Sequence, residues 1–176
     1  GWDIGYVSTP LKEYFDQIVD KDQKILIPGC GNAHEAEYLF KKGFKNVFIV
    51  DFSNKALENF KSRINNFPSE HMICNDFFKI NGEYDLIIEQ TFFCAIERNK
   101  RHQYASKTHS LLKTDGKLVG LLFDSPMYED HPPFGGTSQE YKDCFSPFFK
   151  FKAFSPSYNS INSRKGKELF INLVKK

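Results

Sequence analysis

The chain has 176 residues, 16% of them aromatic, and a formal net charge of +2 at pH 7. This length is typical of one domain with a sizeable core, so we expect a single domain over residues 1–176. The balanced charge and scattered lysines argue against nucleic acid as a partner, and we find no membrane-length apolar run and no signal peptide.

The first candidate binding segment of the chain is a strand followed by a glycine turn and a helix. Residues 25–27 form an apolar run that predicts a short buried strand. Gly29 and Gly31 then allow a sharp turn that brings backbone N–H groups close to a ligand. Asn32 is the predicted cap of a helix over residues 33–40. This order is typical of a doubly wound α/β domain that holds an adenosine-type cofactor.

Two acids follow the next two predicted strands. Asp51 ends the strand of residues 47–50, where it can accept hydrogen bonds from both hydroxyls of an unphosphorylated ribose. Residues 72–74 predict a third strand, after which we expect Asp76 to bind the exocyclic amine of adenine and Phe77 to offer it an aromatic face. An Asp after a strand is more often a helix cap or a turn former. Asp51 and Asp76 therefore indicate a cofactor site only in combination with each other and with the glycine turn.

The glycine turn differs from that of a dinucleotide site. The pattern G-x-G-x-x-G needs a third glycine under the pyrophosphate, and this chain has His34 there. The turn therefore favours S-adenosylmethionine, which carries ribose and adenine without phosphate. An NAD-dependent oxidoreductase is the rival interpretation, but it should also show a hydride-transfer acid, which we do not find.

Alternation of strands and helices continues to residue 145 and predicts parallel pairing with right-handed crossovers. A loop rich in Pro and Gly interrupts it after Asp124, and loops of that length tend to be functional. The last two β segments should form an antiparallel edge. The predicted elements are a strand over 84–89, a helix over 98–112, a strand over 117–123, a helix over 138–145, and strands over 148–154 and 169–174.

The four cysteines occur singly, without CxxC spacing, in segments that read as buried: Cys30, Cys74, Cys94 and Cys144. This pattern indicates neither a zinc site nor a disulfide framework, and we expect no metal. It predicts reduced thiols in a cytoplasmic protein. Cys30 lies where a helix N-terminus would lower its pKa, but it lacks a histidine partner and is expected to be a packing residue. The chain begins with Gly1 and not Met, consistent with a native N-terminus outside this sequence.

Several segments together resemble the thiopurine S-methyltransferase superfamily, most closely its halide and thiol methyltransferase branch. The resemblance runs from Trp2 to Lys176, and its most specific parts are FFCAI and RKGKE. It implies a class I S-adenosylmethionine-dependent methyltransferase: a Rossmann-like α/β fold with a mostly parallel seven-stranded sheet and helices on both faces. The segments are PGCGNAHEAEYL, VDFSNKALENF, DLIIEQTFFCAI, LLKTDGKL and SRKGKELFINLVKK.

The resemblance also implies an activity and a set of cofactor contacts. The expected acceptors are small soft nucleophiles, namely halide, hydrosulfide, thiocyanate or thiols, and no obligate protein partner is evident. Aromatic thiols of the thiopurine type, or a cofactor-binding module without activity, remain alternatives. Gln90 stands where relatives carry a tyrosine, so an amide would replace a hydroxyl contact. The cofactor residues expected are Trp2, Gly29, Cys30, Gly31, Asp51, Phe52, Asp76, Phe77 and Gln90.

Methyl transfer from a sulfonium is an in-line displacement, which mainly requires alignment and removal of water. A halide or thiolate needs no general base, so we assign no catalytic side chain, and His131 is the only histidine we expect near a substrate. Aromatic faces would stabilise the sulfonium by cation–π attraction. The candidates are Phe92, Phe93, Phe123, Tyr128 and Phe134, each as well suited to core packing as to a pocket wall.

Overall fold

The computed structural model describes residues 3–176, in which one seven-stranded sheet has the order β3-β2-β1-β4-β5-β7-β6. The strands are β1 (Ile25–Pro28), β2 (Val47–Asp51), β3 (Met72–Cys74), β4 (Tyr84–Gln90), β5 (Leu112–Phe123), β6 (Phe149–Pro156) and β7 (Glu168–Lys175). The helices are α1 (Thr9–Asp16), α2 (His34–Lys41), α3 (Asn54–Arg63), α4 (Arg101–Leu111) and α5 (Ser138–Phe145).

Strands β1 to β5 pair in parallel, and β7 lies antiparallel between β5 and β6. The chain therefore reverses its winding direction at β1 and β4, which neighbour each other at the centre of the sheet. In open α/β sheets, ligands bind at such a switch point, beyond the carboxyl ends of the strands. The predicted antiparallel edge of two β segments is confirmed.

The core has two layers because successive side chains of a strand point to opposite faces of the sheet. On β1, Ile25 and Ile27 pack with α1, α2 and α3, whereas Leu26 packs with α4 and α5 on the other face. Helices thus cover both faces, as expected. All four residues of β1 are buried, which explains why its sequence is a continuous apolar run and not an alternating one.

The structure corrects three local predictions. Ala33, with φ of 54°, is the N-cap of α2, so the prediction that Asn32 caps the helix was wrong. The predicted helix over 98–112 begins as a 3-10 turn over Arg98–Lys100, and β5 starts at Leu112, five residues before the predicted strand. Cys74 is exposed, whereas the sequence suggested burial.

Membrane spanning is not indicated for the part of the chain that the structure describes. No helix there is both long and apolar enough to cross a bilayer.

Candidate cofactor and acceptor site

A cavity of about 530 Å³ lies at the carboxyl ends of β1, β2 and β4. Its walls come from the glycine turn after β1, the end of β2, the turn after β4 and the segment before α1. The lining residues are Asp3, Ile4, Tyr6, Gly29, Gly31, Asn32, Ala33, His34, Glu35, Asp51, Phe52, Ala56, Gln90, Thr91, Phe92, Ala95 and Pro132.

The glycine turn directs its N–H groups inward, to other parts of the fold. Gly29 N and Cys30 N donate to the Val50 carbonyl at 2.9 and 3.4 Å, and Gly31 N donates to Asp51 Oδ2 at 3.1 Å. The expectation that these groups approach a ligand stays a prediction, although each N–H group already has a partner within the fold. A turn whose donors are already bonded offers no cradle for a pyrophosphate, so the geometry fits a cofactor without phosphate.

Asp51 is held in one orientation at the end of β2. Its Oδ1 accepts the Ser53 N–H at 2.8 Å, and its Oδ2 accepts the Gly31 N–H. A carboxylate has about four acceptor positions, so acceptor capacity remains for a ligand. Phe52, the next residue, lines the same cavity with 83% of its surface exposed. The pair offers a hydrogen-bond acceptor for ribose beside an uncovered aromatic ring.

The segment before α1 is bonded to the start of α2. Asp3 accepts hydrogen bonds from Gly5 N at 2.7 Å and from the Asn32 side chain, and its Oδ1 lies 2.7 Å from His34 Nε2. Desolvation raises the pKa of Asp3, but these hydrogen bonds outweigh it and hold the pKa below its usual value. Asn32 and His34 therefore fasten this segment over the cavity.

The turn after β4 forms the opposite wall. Thr91 adopts a left-handed conformation with φ of 57°, which is uncommon for a β-branched residue. Behind it, the fully buried Glu89 accepts hydrogen bonds from Phe92 N at 2.9 Å, Phe93 N at 3.0 Å and the Tyr104 hydroxyl at 2.5 Å. Burial raises the pKa of Glu89 to about 7, although these bonds oppose the shift.

A second cavity, of about 450 Å³, adjoins the first and shares Thr91 and Pro132 with it. Arg164 is buried and its guanidinium lies 5.4 Å from the centre of the Phe123 ring, while Lys167 is exposed at the rim. The lining residues are Thr91, Phe123, Met127, Tyr128, Pro132, Pro133, Ser163, Arg164 and Lys167. This wall combines apolar surface with two cationic groups.

The structure brings together most of the predicted cofactor residues. Gly29, Gly31, Asp51, Phe52 and Gln90 line the first cavity. Cys30, between the two glycines, packs against the core below α2, and burial raises the pKa of its thiol. Trp2 lies outside the described residues.

Asp76 and Phe77 are placed differently. Asp76 is exposed and caps the 3-10 turn over Phe77–Lys79 by accepting the Phe78 N–H at 2.9 Å. Phe77 is only 4% exposed and packs against Phe92 and Tyr104. Neither residue lines the cavity, so their contacts with adenine remain predictions.

Of the five aromatic residues predicted for the acceptor pocket, three line one of the two cavities and two are buried elsewhere. Phe123 and Tyr128 line the second cavity and Phe92 lines the first. Phe93 is instead buried among Tyr104, Tyr141 and Phe145, and Phe134 is a buried residue of the long loop. Phe93 and Phe134 line neither of these two cavities, so their place in an acceptor pocket remains a prediction.

Sequence reasoning missed five residues of the site. Glu89 was read only as the end of a buried strand, and an acid inside such an apolar run is itself a signal of a buried functional group. Thr91 and Arg164 lay inside the quoted motifs FFCAI and RKGKE or beside them, without a role. The five are His34, Glu35, Glu89, Thr91 and Arg164. Among residues 3–176, no cluster of His, Cys, Asp and Glu could hold a metal ion.

The strand order, the switch point at β1 and β4 and the cavity beside it are those of Rossmann-like methyltransferases that use S-adenosylmethionine. Solved structures with this fold include the glycopeptide N-methyltransferase MtfA complexed with S-adenosyl-L-homocysteine (11% identity, TM-score 0.77, 98% of this chain and 91% of that chain). A TehB-like S-adenosylmethionine-dependent methyltransferase from Corynebacterium glutamicum matches with 17% identity and a TM-score of 0.73, over 99% and 89% of the two chains.

The family model for thiopurine S-methyltransferase matches residues 1–174, so this chain belongs to the thiopurine S-methyltransferase family. Thiocyanate methyltransferase 1 of Brassica oleracea is 33% identical over 178 residues, which span 95% of this chain and 76% of that protein. Thiopurine S-methyltransferase of Photobacterium profundum is 22% identical over 162 residues, 82% and 76% of the two chains. The chain is an S-adenosylmethionine-dependent methyltransferase.

Proposed function

We propose that this enzyme transfers the methyl group of S-adenosylmethionine to small, soft, anionic nucleophiles, such as thiocyanate, hydrosulfide, halide or small thiolates, without a general base. The observation that carries the proposal is the second cavity. It adjoins the cofactor cavity at Thr91 and Pro132, and it presents Arg164 and Lys167 beside apolar side chains.

The charges of the second cavity favour an anion. The Lys167 ammonium raises the local concentration of negative ions at the rim. The Arg164 guanidinium also faces Glu168, whose Oε2 lies 3.8 Å from Arg164 Nη1, so its charge is partly offset. The apolar residues Phe123 and Met127 favour removal of water, which strengthens a soft nucleophile. Large, weakly hydrated anions such as thiocyanate and iodide have the smallest desolvation free energy on entering such a site.

The lining supplies no proton acceptor of the usual kind. Among the described residues that line the second cavity, none is His, Asp or Glu. An oxygen or nitrogen acceptor would need such a group to remove its proton, whereas a thiolate or halide attacks as it is. S-adenosylmethionine supplies the electrophilic methyl group, and Asp51, Phe52 and Gln90 would hold the cofactor beside Thr91.

Aromatic thiols are the second candidate class of acceptor. The volume of about 450 Å³ exceeds what a triatomic anion needs, and Phe123 and Tyr128 offer ring faces to a planar substrate. The same cations would hold the thiolate form of a thiopurine.

Headspace gas chromatography tests the proposal directly. The purified protein and S-adenosylmethionine are incubated with iodide, thiocyanate or hydrosulfide, and methyl iodide, methyl thiocyanate and methanethiol are measured. A parallel incubation with 6-mercaptopurine is followed by absorbance. We expect methylation of thiocyanate, and activity on 6-mercaptopurine alone would replace the first acceptor class with the second.

A pair of lysine variants tests the role of charge. Lys167→Met removes a cation from the rim of the second cavity, whereas Lys165→Met removes one that is exposed outside it. We expect Lys167→Met to raise KM for thiocyanate roughly two- to fivefold, the effect of an exposed charge pair, with KM for S-adenosylmethionine unchanged. Equal effects of the two variants would remove Lys167 from anion binding.

A further inference from the structure

The turn after β4 has a strained backbone that buried side chains support. Thr91 lies in the left-handed region and lines both cavities, and a β-branched residue adopts that conformation only where its surroundings enforce it. The two N–H groups that follow, of Phe92 and Phe93, both donate to Glu89 Oε2. The Glu89 carboxylate therefore fixes the two residues after Thr91, while the Cys94 thiol donates to the Thr91 carbonyl at 3.4 Å.

We propose that Glu89 is a positioning residue for the cofactor: as an ionised carboxylate it holds the Thr91 turn in the shape that forms one wall of the cofactor cavity. The residue touches neither substrate nor cofactor and acts through the backbone of Phe92 and Phe93. Hydrogen bonds to an ionised acceptor are about twice as strong as neutral ones. Loss of the charge weakens the bonds that hold Thr91, and the turn relaxes away from the cavity.

The groups that face Glu89 determine its ionisation. Tyr104 of α4 donates to Oε1, and the Cys94 thiol lies close enough that the negative charge of Glu89 helps to raise its pKa. Tyr141 of α5 and Glu168 of β7 line the same small interior space. None of these four groups carries a positive charge at neutral pH, so burial dominates and the pKa of Glu89 reaches about 7.

If Glu89 positions the Thr91 turn, the stability of the fold and its affinity for the cofactor depend on pH in opposite directions. Because the pKa of Glu89 is higher in the fold than in the unfolded chain, its contribution to stability is full below the unfolded value of 4.5 and decreases as pH rises through about 7. Cofactor affinity needs the carboxylate and decreases in the other direction, as pH falls through 7. If Glu89 had only a structural role, stability and cofactor affinity would change with pH in the same direction.

Glu89→Gln is the variant that isolates the charge. The amide has nearly the same shape, its oxygen can accept both backbone N–H groups, and the Tyr104 hydroxyl can turn to accept from its NH₂. We expect a melting temperature equal to or above that of the unchanged protein at pH 8, because an unpaired buried charge is removed. We expect weaker binding of S-adenosyl-L-homocysteine and a higher KM for S-adenosylmethionine, with kcat nearly unchanged.

Calorimetric titration with S-adenosyl-L-homocysteine from pH 6 to 8 is the test, and it needs no acceptor, so a failure of the proposed function would not affect it. The unchanged protein should lose affinity by up to about tenfold from pH 8 to 6, as expected for a requirement for a carboxylate with a pKa near 7. Glu89→Gln should lose this component and show a flatter profile. His34 and Glu35, which line the same cavity, are present in both proteins and do not contribute to the difference between them.

Tyr104→Phe is the second variant and remains informative if Glu89→Gln does not fold. The Tyr104 hydrogen bond lowers the pKa of Glu89, so its removal should move the bend in the affinity profile to higher pH. Glu140→Gln, which changes an exposed carboxylate of α5, is the control and should leave the profile where it is. An unmoved bend in Tyr104→Phe, or wild-type affinity and pH profile in Glu89→Gln, would overturn the proposal.

Discussion

The Phe92 ring lies against the backbone of Gly29, so closely that a Cβ atom at position 29 would come within 2.0 Å of Phe92 Cδ1. The glycine after β1 is therefore required by the turn after β4. This contact joins two walls of the cavity directly, and it explains the need for glycine in a turn whose N–H groups are bonded within the fold.

We expect Gly29→Ala to reduce the affinity for S-adenosyl-L-homocysteine by more than tenfold, because Phe92 must leave its place in the cavity wall. Gly43→Ala is the matched control: φ is positive at both positions, but Gly43 lies outside the cavity lining and a Cβ there would meet only the Lys21 side chain, at 3.9 Å. Both variants should lose about 1–2 kcal/mol of stability from left-handed backbone. Calorimetry and thermal melts measure the two effects, and equal losses of affinity would contradict the role of Phe92.

Asp51→Ala should weaken binding of S-adenosyl-L-homocysteine by about 1.5–3 kcal/mol, the range for hydrogen bonds to a charged group. The reason is that Asp51 lines the cavity with its carboxylate already oriented by Gly31 N and Ser53 N. Asp76→Ala provides the comparison, since Asp76 is exposed and lies outside the lining. Unchanged affinity in Asp51→Ala, measured by calorimetry, would remove Asp51 from the ribose site.

The segment before α1 should respond to the cofactor. Trp2 is the only tryptophan of the chain, so its fluorescence reports on this segment alone, and we expect it to change when S-adenosyl-L-homocysteine binds. Asp3→Ala removes the bonds to Gly5, Asn32 and His34 and should reduce both the fluorescence change and the protection of residues near Gly5 from hydrogen exchange. Identical signals with and without ligand would refute a closing segment.

A mechanism without a base has a simple pH signature when S-adenosylmethionine is saturating. Methylation of thiocyanate should vary little between about pH 6 and 8, whereas a thiol of pKa near 8.5 should react faster as pH rises. Phe123→Ala should lower kcat more than His131→Ala, because Phe123 lines the second cavity and His131 does not. A histidine variant that folds and binds cofactor but loses all turnover would show that a base is required.

Local patterns predicted the fold well because the strands of this sheet are short apolar runs separated by clear turn residues. The position of Asp51 was predictable for the same reason, since it ends the second apolar run and therefore lies at the carboxyl end of β2. Phe77 was not, because its burial depends on Phe92 and Tyr104, which lie in distant parts of the sequence. Glu89 and Arg164 also depend on long-range packing, so their positions become evident only in the folded chain.

The burial of Cys30 has a consequence for the durability of the enzyme. Its sulfur lies 4.0 Å from Asp51 Oδ2, in the turn between two residues that line the cofactor cavity. A thiolate there would compete with the acceptor for the methyl group, because the thiolate is the nucleophilic form of cysteine. Burial, reinforced by the negative charge of Asp51, raises the pKa of this thiol and keeps it protonated. A protonated thiol would disfavour alkylation of Cys30 by the cofactor, so we expect the intact mass of the enzyme to stay constant through many turnovers.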